Sequence, residues 1–454
     1  MSQSCDLFII GAGPAGMSAA IIAARGGLSV VVADEGTAPG GQIYRGVQTS
    51  TLTALGAEYH DGRALADTFT ASAARYLPRS SVFMIERLES GGFEIGVSCQ
   101  AQATLWQTAR VLIATGALER PFPIPGWTLP GVMTAGAAQT LLKSSAIVPQ
   151  GPAILAGTGP LLVLLAVQYA RLGVKIAALL DTTPRSSWRS ALPHLPGFLA
   201  SPYLGKGLSL LRELVGTVKI IRGVTALAAI GTERLSAVEF TANGQTSRLP
   251  AETLLLHQGV VPQVNLAMAA GVAHSWNPGR LAFEPHLDAD GRSNIANLFI
   301  AGDTGGIGGA AAAARQGQIA ALAMLGANAE EPRAALKAAL RGRAFLDAFY
   351  RPAPQFRMPA DEVIVCRCEE VTAGDIRALA HRGTTGPNQA KAFTRAGMGP
   401  CQGRSCALTV CELIAAERGQ SPQATGHMRV RNPVKPITLG EMASLTRSAA
   451  PQSD

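Results

Sequence analysis

The feature that most constrains the fold is a glycine motif close to the start of the chain. Residues 11–16 read GAGPAG, preceded by the apolar run LFII (7–10) and followed by the Ala-rich segment 17–27 and the run LSVVVAD (28–34). This order predicts a strand, a tight turn, a helix and a second strand, as at the start of a dinucleotide-binding fold. Gly11 would permit the turn, Gly13 would let the backbone approach a pyrophosphate, and Gly16 would let the helix pack on the strand.

Two acidic residues end the second predicted strand. Asp34 lies eighteen residues after Gly16, where a carboxylate can accept a hydrogen bond from a ribose hydroxyl, and Glu35 is the neighbouring candidate. A glycine-rich turn in an unrelated α/β protein is the alternative, but it would need all three elements to fall in register by chance. The segment therefore favours a nucleotide site.

A second unit of the same kind begins near residue 151. PAILAG leads into GTGPLL (157–162), an apolar helix to Leu172 and the strand VKIAALLD (174–181). Leu162 stands where the third glycine would be, and its bulk argues against a close approach of helix and strand. The sequence leaves open whether this unit holds a nucleotide or only packs against the first.

Between and after these units the chain shows further patterns. Residues 79–116 alternate in polarity and predict a meander of strands, whereas the proline-rich residues 120–130 predict an extended crossing segment and residues 182–210 an irregular insertion. NLFIAGD (297–303) predicts a strand before a glycine-rich helix start, so Asp303 would lie at a helix N-terminus, where it could accept a hydrogen bond from a polyol.

Composition and simple motif searches exclude several classes of protein. Hydrophobic residues make up 47% and charged residues 15%, which predicts a globular chain. The net charge of +8 is dispersed without a basic run, so we expect no nucleic-acid partner. G-x-S-x-G, H-E-x-x-H and P-loop motifs are absent. A signal peptide has no room before Gly11, and glycine and proline interrupt the most apolar segment (153–170), so we expect a cytoplasmic protein with no transmembrane segment.

The seven cysteines are unevenly distributed, since five fall within residues 366–411. On an extended backbone Cys366 and Cys368 would point the same way and present both thiolates to one metal centre, with Cys401 and Cys406 as the second pair. Four thiolates suit a [2Fe-2S] cluster or a tetrahedral zinc; the one-residue gap in the first pair favours the cluster over zinc, and unligated thiols are the third reading. Cys411 would pack in a helix core.

Several motifs recur together in one known family. They are GAGPAG, the Asp34-Glu35 pair, PGGQIYR (39–45), ATGALERPFPIPGW (114–127), AGD (301–303), the four cysteines and VRNPVKPITLGEMASL (430–445). With them the chain resembles the large flavoprotein subunit, called alpha or A, of heteromeric bacterial amine and imino-acid dehydrogenases: opine oxidases, D-hydroxyproline dehydrogenase and hydrogen cyanide synthase. Its core is similar to thioredoxin and glutathione reductases, and its end to the bacterioferritin-associated ferredoxin-like (BFD-like) [2Fe-2S] domain.

The resemblance implies an α/β fold with two Rossmann-like dinucleotide-binding domains of the reductase type and a small α+β C-terminal [2Fe-2S] domain. The implied domains are 1–118 with 271–330 for FAD, a crossing segment 119–150, a second NAD(P)-like domain 151–270, a linker 331–360, the [2Fe-2S] domain 361–430 and a tail 431–454. The implied FAD site comprises Gly11, Gly13, Pro14, Ala15, Gly16, Asp34 or Glu35, Gly41, Gln42, Ala114, Thr115, Gly116, Gly302 and Asp303. The implied iron ligands are Cys366, Cys368, Cys401 and Cys406.

The resemblance also implies partners and a function. A second subunit, beta, which is like D-amino-acid oxidase and has its own FAD, would oxidise the C-N bond of an opine, D-amino or imino acid, and electrons would pass through flavin and cluster to an acceptor. A small ferredoxin-like gamma subunit, an FMN at a subunit interface, a second nucleotide at 157–162 and membrane association through partners stay open. The alternatives are a self-sufficient NAD(P)H-dependent reductase and a non-catalytic assembly subunit with structural cofactors. No residue of this sequence stands out as an acid or base acting on a substrate.

Overall fold

Two parallel sheets, each covered by helices, form the body of the chain, and a computed structural model describes residues 3–445. The strands are β1 Gln3–Ile10, β2 Val30–Ala33, β3 Arg75–Leu77, β4 Ser80–Arg87, β5 Phe93–Cys99, β6 Gln102–Ile113, β7 Ala117–Glu119, β8 Val132–Thr134, β9 Ala153–Thr158, β10 Ile176–Asp181, β11 Ile220–Arg222, β12 Val224–Gly231, β13 Leu235–Ala242, β14 Gln245–Pro250, β15 Thr253–Gln258, β16 Val260–Pro262, β17 His274–Asn277, β18 Ala282–Pro285, β19 Leu298–Ile300, β20 Ile364–Cys366 and β21 Val371–Thr372. The helices are α1 Pro14–Arg25, α2 Ala57–His60, α3 Gly62–Thr70, α4 Ala135–Ser145, α5 Pro160–Arg171, α6 Ser187–Ala191, α7 Leu195–Leu199, α8 Pro202–Leu214, α9 Asn265–Ala269, α10 Ala310–Met324, α11 Glu330–Ala339, α12 Arg343–Phe349, α13 Ala373–His381, α14 Pro387–Thr394, α15 Ala407–Glu417, α16 Pro422–Thr425 and α17 Leu439–Ala443.

The first sheet has the order β3-β2-β1-β6-β5-β4, and β19 pairs with the end of β6. Strands β3, β2, β1, β6 and β19 are parallel, whereas β4, β5 and β6 form the predicted antiparallel meander. Leu7 and Ile9 face one apolar core and Phe8 and Ile10 face another, because alternate side chains of a strand point to opposite faces. The sheet is therefore buried on both faces, as a parallel sheet requires.

The second sheet is parallel throughout, in the order β11-β10-β9-β15-β8. Leu155, Leu165 and Leu255 pack in the same apolar cluster as Leu7 and Ile9, so the two sheets share one continuous core. The opposite face packs against the antiparallel sheet of β12, β13 and β14. Part of the predicted crossing segment, β8 with α4, is built into this second sheet.

The prediction of an irregular insertion at 182–210 is wrong, because helices α6, α7 and α8 occupy it. The prolines that suggested irregularity lie in the first turns of helices, as Pro196 does in α7 and Pro202 in α8. Proline is tolerated there because the first helical N-H groups have no intrahelical acceptor. α12 packs on this insertion: the rings of Phe345 and Phe198 stack with centroids 4.2 Å apart, and Trp188 meets Phe349 at 4.8 Å.

The C-terminal module begins with the β20–β21 hairpin and continues through α13, α14 and α15 around its own apolar core. The predicted capping box of α13 is confirmed, since Asp375 N donates to Thr372 Oγ1 (3.1 Å) and Thr372 N donates to Asp375 Oδ2 (2.9 Å). The tail then returns to the first sheet. Residues 446–454 of the predicted tail lie outside the described residues. Within 3–445, no helix is long and apolar enough to cross a membrane.

Candidate functional site

The glycine turn of residues 11–16 forms at the carboxyl end of β1, directly before α1. Gly11 has a φ of +106°, and a Cβ there would lie 2.4 Å from Ala114 O, so only glycine fits. A Cβ on Gly16 would lie 1.9 Å from Gly11 O, which explains the need for the last glycine. Gly13 precedes α1, and Pro14 and Ala15 form its buried first turn. The backbone N-H groups at this helix start are suited to binding an anion.

The other predicted contacts converge on this turn from neighbouring elements. Ala114 N donates to Ile10 O (2.9 Å), which places residues 114–116 beside the turn. A Cβ on Gly41 would lie 2.9 Å from Gly13 Cα, and one on Gly302 would lie 3.0 Å from Ala15 Cβ. Thr304 closes this group, since its Oγ1 accepts a hydrogen bond from Gly116 N (2.7 Å) and lies 3.3 Å from Thr115 Oγ1. The fold thus brings the predicted FAD residues to one edge of the first sheet.

The two acidic candidates have different surroundings. Both oxygens of Asp34 accept backbone hydrogen bonds, Oδ2 from Ala12 N (2.7 Å) and Oδ1 from Gly36 N (2.6 Å). Glu35 is exposed, and only its Oε1 is used within the described residues, by Ser81 Oγ and by the Lys435 ammonium of the tail. Asp34 therefore holds the turn together, whereas Glu35 keeps one carboxylate oxygen available.

Asp303 lies at the start of the glycine-rich segment before α10. Its Oδ1 accepts hydrogen bonds from Gly308 N (2.8 Å) and Gly309 N (3.0 Å), while its Oδ2 has no hydrogen-bond partner within residues 3–445. These amides fix the carboxylate beside the helix start. One oxygen is left to accept a hydrogen bond from a ligand hydroxyl.

A buried lysine that the sequence did not single out supports the loop carrying Gln42. Lys143 Nζ donates to Gln42 O (3.2 Å), Ile43 O (3.0 Å) and Gln139 Oε1 (3.0 Å). The Gln42 side chain is held by Thr140, whose Oγ1 donates to Gln42 Oε1 at 3.1 Å. Burial lowers the pKa of Lys143 to about 7. A lysine at helical spacing gives no sequence signal of such a contact.

The second glycine turn keeps part of a nucleotide site. Gly159 has a φ of +125° and precedes α5, but Leu162 is 2% exposed and fills the contact between helix and sheet, as the sequence suggested. Buried His257 faces this turn, since a Cβ on Gly159 would lie 2.9 Å from His257 Nε2. His257 Nδ1 lies 2.8 Å from Glu119 Oε2, whose other oxygen accepts a hydrogen bond from the first turn of α4.

The four predicted iron ligands come together at one end of the C-terminal module. Cys366 ends β20, Cys368 lies in the following turn, Cys401 lies in the glycine-rich loop and Cys406 precedes α15. Cys366 and Cys406 are buried, Cys401 is half-buried and Cys368 is exposed. A Cβ on Gly399 would lie 2.2 Å from Cys368 Cβ, so glycine at this position lets the loop close against that cysteine.

The expected pairing of the thiols is wrong. Cys366 lies within hydrogen-bonding reach of Cys406, and Cys368 lies within reach of Cys401. The reason is that β20 ends at Cys366 and the chain then turns, so Cys366 and Cys368 do not share an extended backbone. Within residues 3–445, no three or more His, Cys, Asp or Glu side chains lie close enough together to hold a single ion. The thiols form two contacting pairs instead.

The surroundings of Cys366 favour its thiolate. The hydrogen bond from Cys406 lowers the pKa of Cys366 to about 6, and backbone N-H groups of Gly397, Glu369 and Cys368 contribute in the same direction. The same contact raises the pKa of Cys406, and burial raises that of Cys411 to about 12. N-H groups aimed at sulfur are typical of thiolate clusters. Cys411 packs in an apolar cluster with Leu408, which fits the packing role expected from the sequence.

Direct contacts join the cysteine loop to the nucleotide-binding body. Asn265 Nδ2 donates to Gln402 O (2.8 Å), next to Cys401 in the chain. Trp127 Nε1 donates to Ile364 O (2.7 Å), two residues before Cys366, and the Arg367 guanidinium lies 5.3 Å from the Trp127 ring centroid. The module is therefore seated on the body by polar contacts on both sides of the four thiols.

Comparison with known proteins agrees with this architecture. Residues 5–317 match the family model of pyridine nucleotide-disulphide oxidoreductases, and residues 361–445 match the sarcosine oxidase A3 domain. The large (A-type) subunit of opine oxidase from Agrobacterium tumefaciens (strain Ach5) is 44% identical over 99% of this chain and 93% of its own length. The chain belongs to the family of these large opine oxidase subunits. This confirms the resemblance found in the sequence and identifies the chain as an oxidoreductase subunit of the flavoprotein type.

More distant relatives extend this opine oxidase family in the expected direction. Hydrogen cyanide synthase subunit HcnB of Pseudomonas aeruginosa is 34% identical over 97% of this chain and 99% of its own length. The crystal structure of L-proline dehydrogenase from P. horikoshii superposes with a TM-score of 0.73 at 18% identity, covering 97% of this chain and 79% of that one. At such identity the superposition shows the fold, which is the predicted α/β flavoprotein fold.

Proposed function

We propose that this chain is the FAD- and [2Fe-2S]-containing subunit of a heteromeric dehydrogenase or oxidase, in which a partner subunit oxidises the C-N bond of an opine, D-amino or imino acid. The observation that carries the proposal is the presence, in one chain, of a complete dinucleotide turn and four converging thiols on a module seated against it. The relatives are named as subunits of oxidases and synthases, which supports a partner.

The first sheet supplies groups that match each part of FAD. The N-H groups at the start of α1 would bind the pyrophosphate, and Glu35 Oε2 would accept a hydrogen bond from the adenosine ribose. The free Oδ2 of Asp303 would accept a hydrogen bond from the ribitol. Gly41 and Gln42 would lie against the flavin, on the loop held by Lys143. We assign the ribose contact to Glu35 because Asp34 is already occupied by two backbone amides.

The thiols fit a two-iron centre better than a single ion. Two contacting pairs match a centre in which each of two irons takes two protein ligands, whereas one zinc would need all four thiolates around one point. Backbone N-H groups near Cys366 would stabilise the thiolate form. When bound, the flavin would accept an electron pair and the cluster would carry single electrons. The exposed Cys368 would place one edge of that centre at the surface.

The proposal is tested by co-purifying the chain anaerobically with the subunit encoded beside it. We expect flavin absorption overlaid by iron-sulfur absorption, and both bands should bleach when a screen of D-amino, imino and opine substrates finds the correct one. Cys401→Ser should remove the iron and leave FAD in place, and Cys99→Ser, which changes a cysteine on β5, should retain both. Zinc, or no metal, in wild-type protein would contradict the cluster assignment.

The strongest competing function is a self-sufficient NAD(P)H-dependent reductase. The glycine turn before α5 and the buried His257 beside it are what favour it, whereas Leu162 disfavours it. Mixing the isolated chain with NADH or NADPH under anaerobic conditions separates the two. Rapid bleaching of the flavin without partner or substrate would establish the reductase and overturn the proposal. A non-catalytic assembly role would leave flavin and cluster oxidised while the complete complex turns over its substrate.

A further inference from the structure

We infer that residues 428–435, named here the strap, form part of the first nucleotide site and couple that site to the cysteine loop, residues 397–406. The inference rests on the nucleotide site assigned above. Neither the glycine turn nor the four thiols requires a chain segment between them. The strap nevertheless contacts both, and the contacts can be followed from one end to the other.

The strap begins on the cysteine loop. Met428 is 3% exposed, and a Cβ on Gly397 or Gly403 would lie 2.3 or 3.3 Å from Met428 Sδ. Arg429 N donates to Asn388 Oδ1 (2.7 Å) at the start of α14. The glycines of the loop therefore leave the space into which Met428 packs, so a change in loop conformation would move this end of the strap.

The middle of the strap pairs with β4, the edge strand of the first sheet. Val434 N donates to Phe83 O (2.8 Å), Asn432 Nδ2 donates to Ile85 O (3.0 Å), and Val434 is 1% exposed within the apolar core of that sheet. Covering an edge strand is a common use of a terminal segment. Here it also fixes the position of the next residue, Lys435, relative to β2.

The far end of the strap reaches the acidic residue assigned to the ribose. The Lys435 ammonium contacts Glu35 Oε1, the oxygen to which Ser81 Oγ also donates, at 3.3 Å. Both protein donors lie on the same carboxylate oxygen, so the Glu35 side chain is oriented and Oε2 is left available. Lys435 thus acts as a positioning residue for Glu35, although it follows that residue by 400 positions.

One side chain links the strap directly to the loop. Arg404 Nη1 donates to Cys401 O and to Val434 O, both at 3.2 Å. The contacts therefore run from Cys401 through Arg404 to Val434, and from the adjoining Lys435 to Glu35. A conformational change of the loop on gain or loss of its metal centre would alter nucleotide affinity, and by thermodynamic linkage the nucleotide would stabilise the docked strap to the same extent.

The test uses the full chain after removal of flavin, titrated with FAD and, separately, with ADP as a probe of the adenosine end. Lys435→Met and Arg404→Met should each weaken both ligands by about five-fold or more, a typical coupling between sites. Arg382→Met, at an exposed position after α13, should change neither affinity. Lys435→Arg should restore most of the binding. Because Arg404 contacts no residue assigned to the nucleotide, its effect distinguishes coupling from a local contact.

Limited digestion with trypsin gives a second readout that does not depend on activity. FAD or ADP should slow cleavage after Arg431, which is exposed within the strap, and the two methionine variants should lose that protection. Wild-type affinities in both variants, or cleavage that ignores the nucleotide, would overturn the inference. Binding of ADP with strap protection but without FAD binding would refute the flavin assignment and keep the strap. A wild-type chain that binds neither ligand would refute both.

Discussion

Replacing the buried Lys143 tests how the loop next to the predicted flavin is held. Burial lowers the pKa of this lysine from 10.5 to about 7 in the folded chain, whereas the unfolded chain keeps the ordinary value. Between these two pH values unfolding takes up one proton, so the lysine makes the free energy of unfolding rise with pH by up to about 1.4 kcal/mol per pH unit. Over the whole interval this amounts to roughly 4–5 kcal/mol at most.

The measurement compares wild type with Lys143→Met by urea unfolding at pH 6, 7, 8 and 9. The difference in free energy of unfolding between the two proteins should be constant below pH 7 and should shift in favour of wild type above it. Lys337→Met, an exposed change on α11, controls for loss of a positive charge. Parallel pH profiles for wild type and Lys143→Met would refute the reasoning and show that the three oxygen acceptors keep the ammonium charged throughout.

Two further substitutions follow from close contacts. Gly16→Ala should destabilise the chain by about 1–3 kcal/mol in urea unfolding, because its Cβ would overlap a carbonyl oxygen, whereas Gly13→Ala, with 3.9 Å to its nearest neighbour, should fold normally and lose FAD affinity by equilibrium titration; equal stability of the two would contradict the packing argument. Glu412→Gln should cost about 3–5 kcal/mol because it leaves the Arg357 guanidinium buried and unpaired, while Glu417→Gln, in a more exposed pair, should cost under about 1 kcal/mol.

Local patterns with a fixed period or spacing could be predicted from the sequence. GAGPAG between two apolar runs predicted β1, α1 and β2, and Thr372 with Asp375 predicted the start of α13. Both work because the physical requirement lies within a few residues. The prediction of helix breaks at 182–210 failed because proline has opposite effects in the first turn of a helix and in its interior.

Contacts between distant segments could not be predicted in this way. The choice between Asp34 and Glu35 depended on which carboxylate the backbone already occupies, and the pairing of the thiols depended on where β20 ends. Lys143 reaches Gln42 across the fold, and Lys435 reaches Glu35 from the tail. Such contacts depend on the folded path of the chain, which spacing along the sequence does not encode.

The aromatic stack of Phe345, Phe198 and Trp188 determines how the C-terminal module can behave. Residues 331–360 join this module to the body, and their helices are pinned to the second domain by that stack instead of spanning the gap as a loose tether. The module consequently cannot swing between donor and acceptor as a carrier arm would. Any exchange between the two cofactor sites must occur across a separation fixed when the chain folds, so solvent viscosity should leave its rate unchanged.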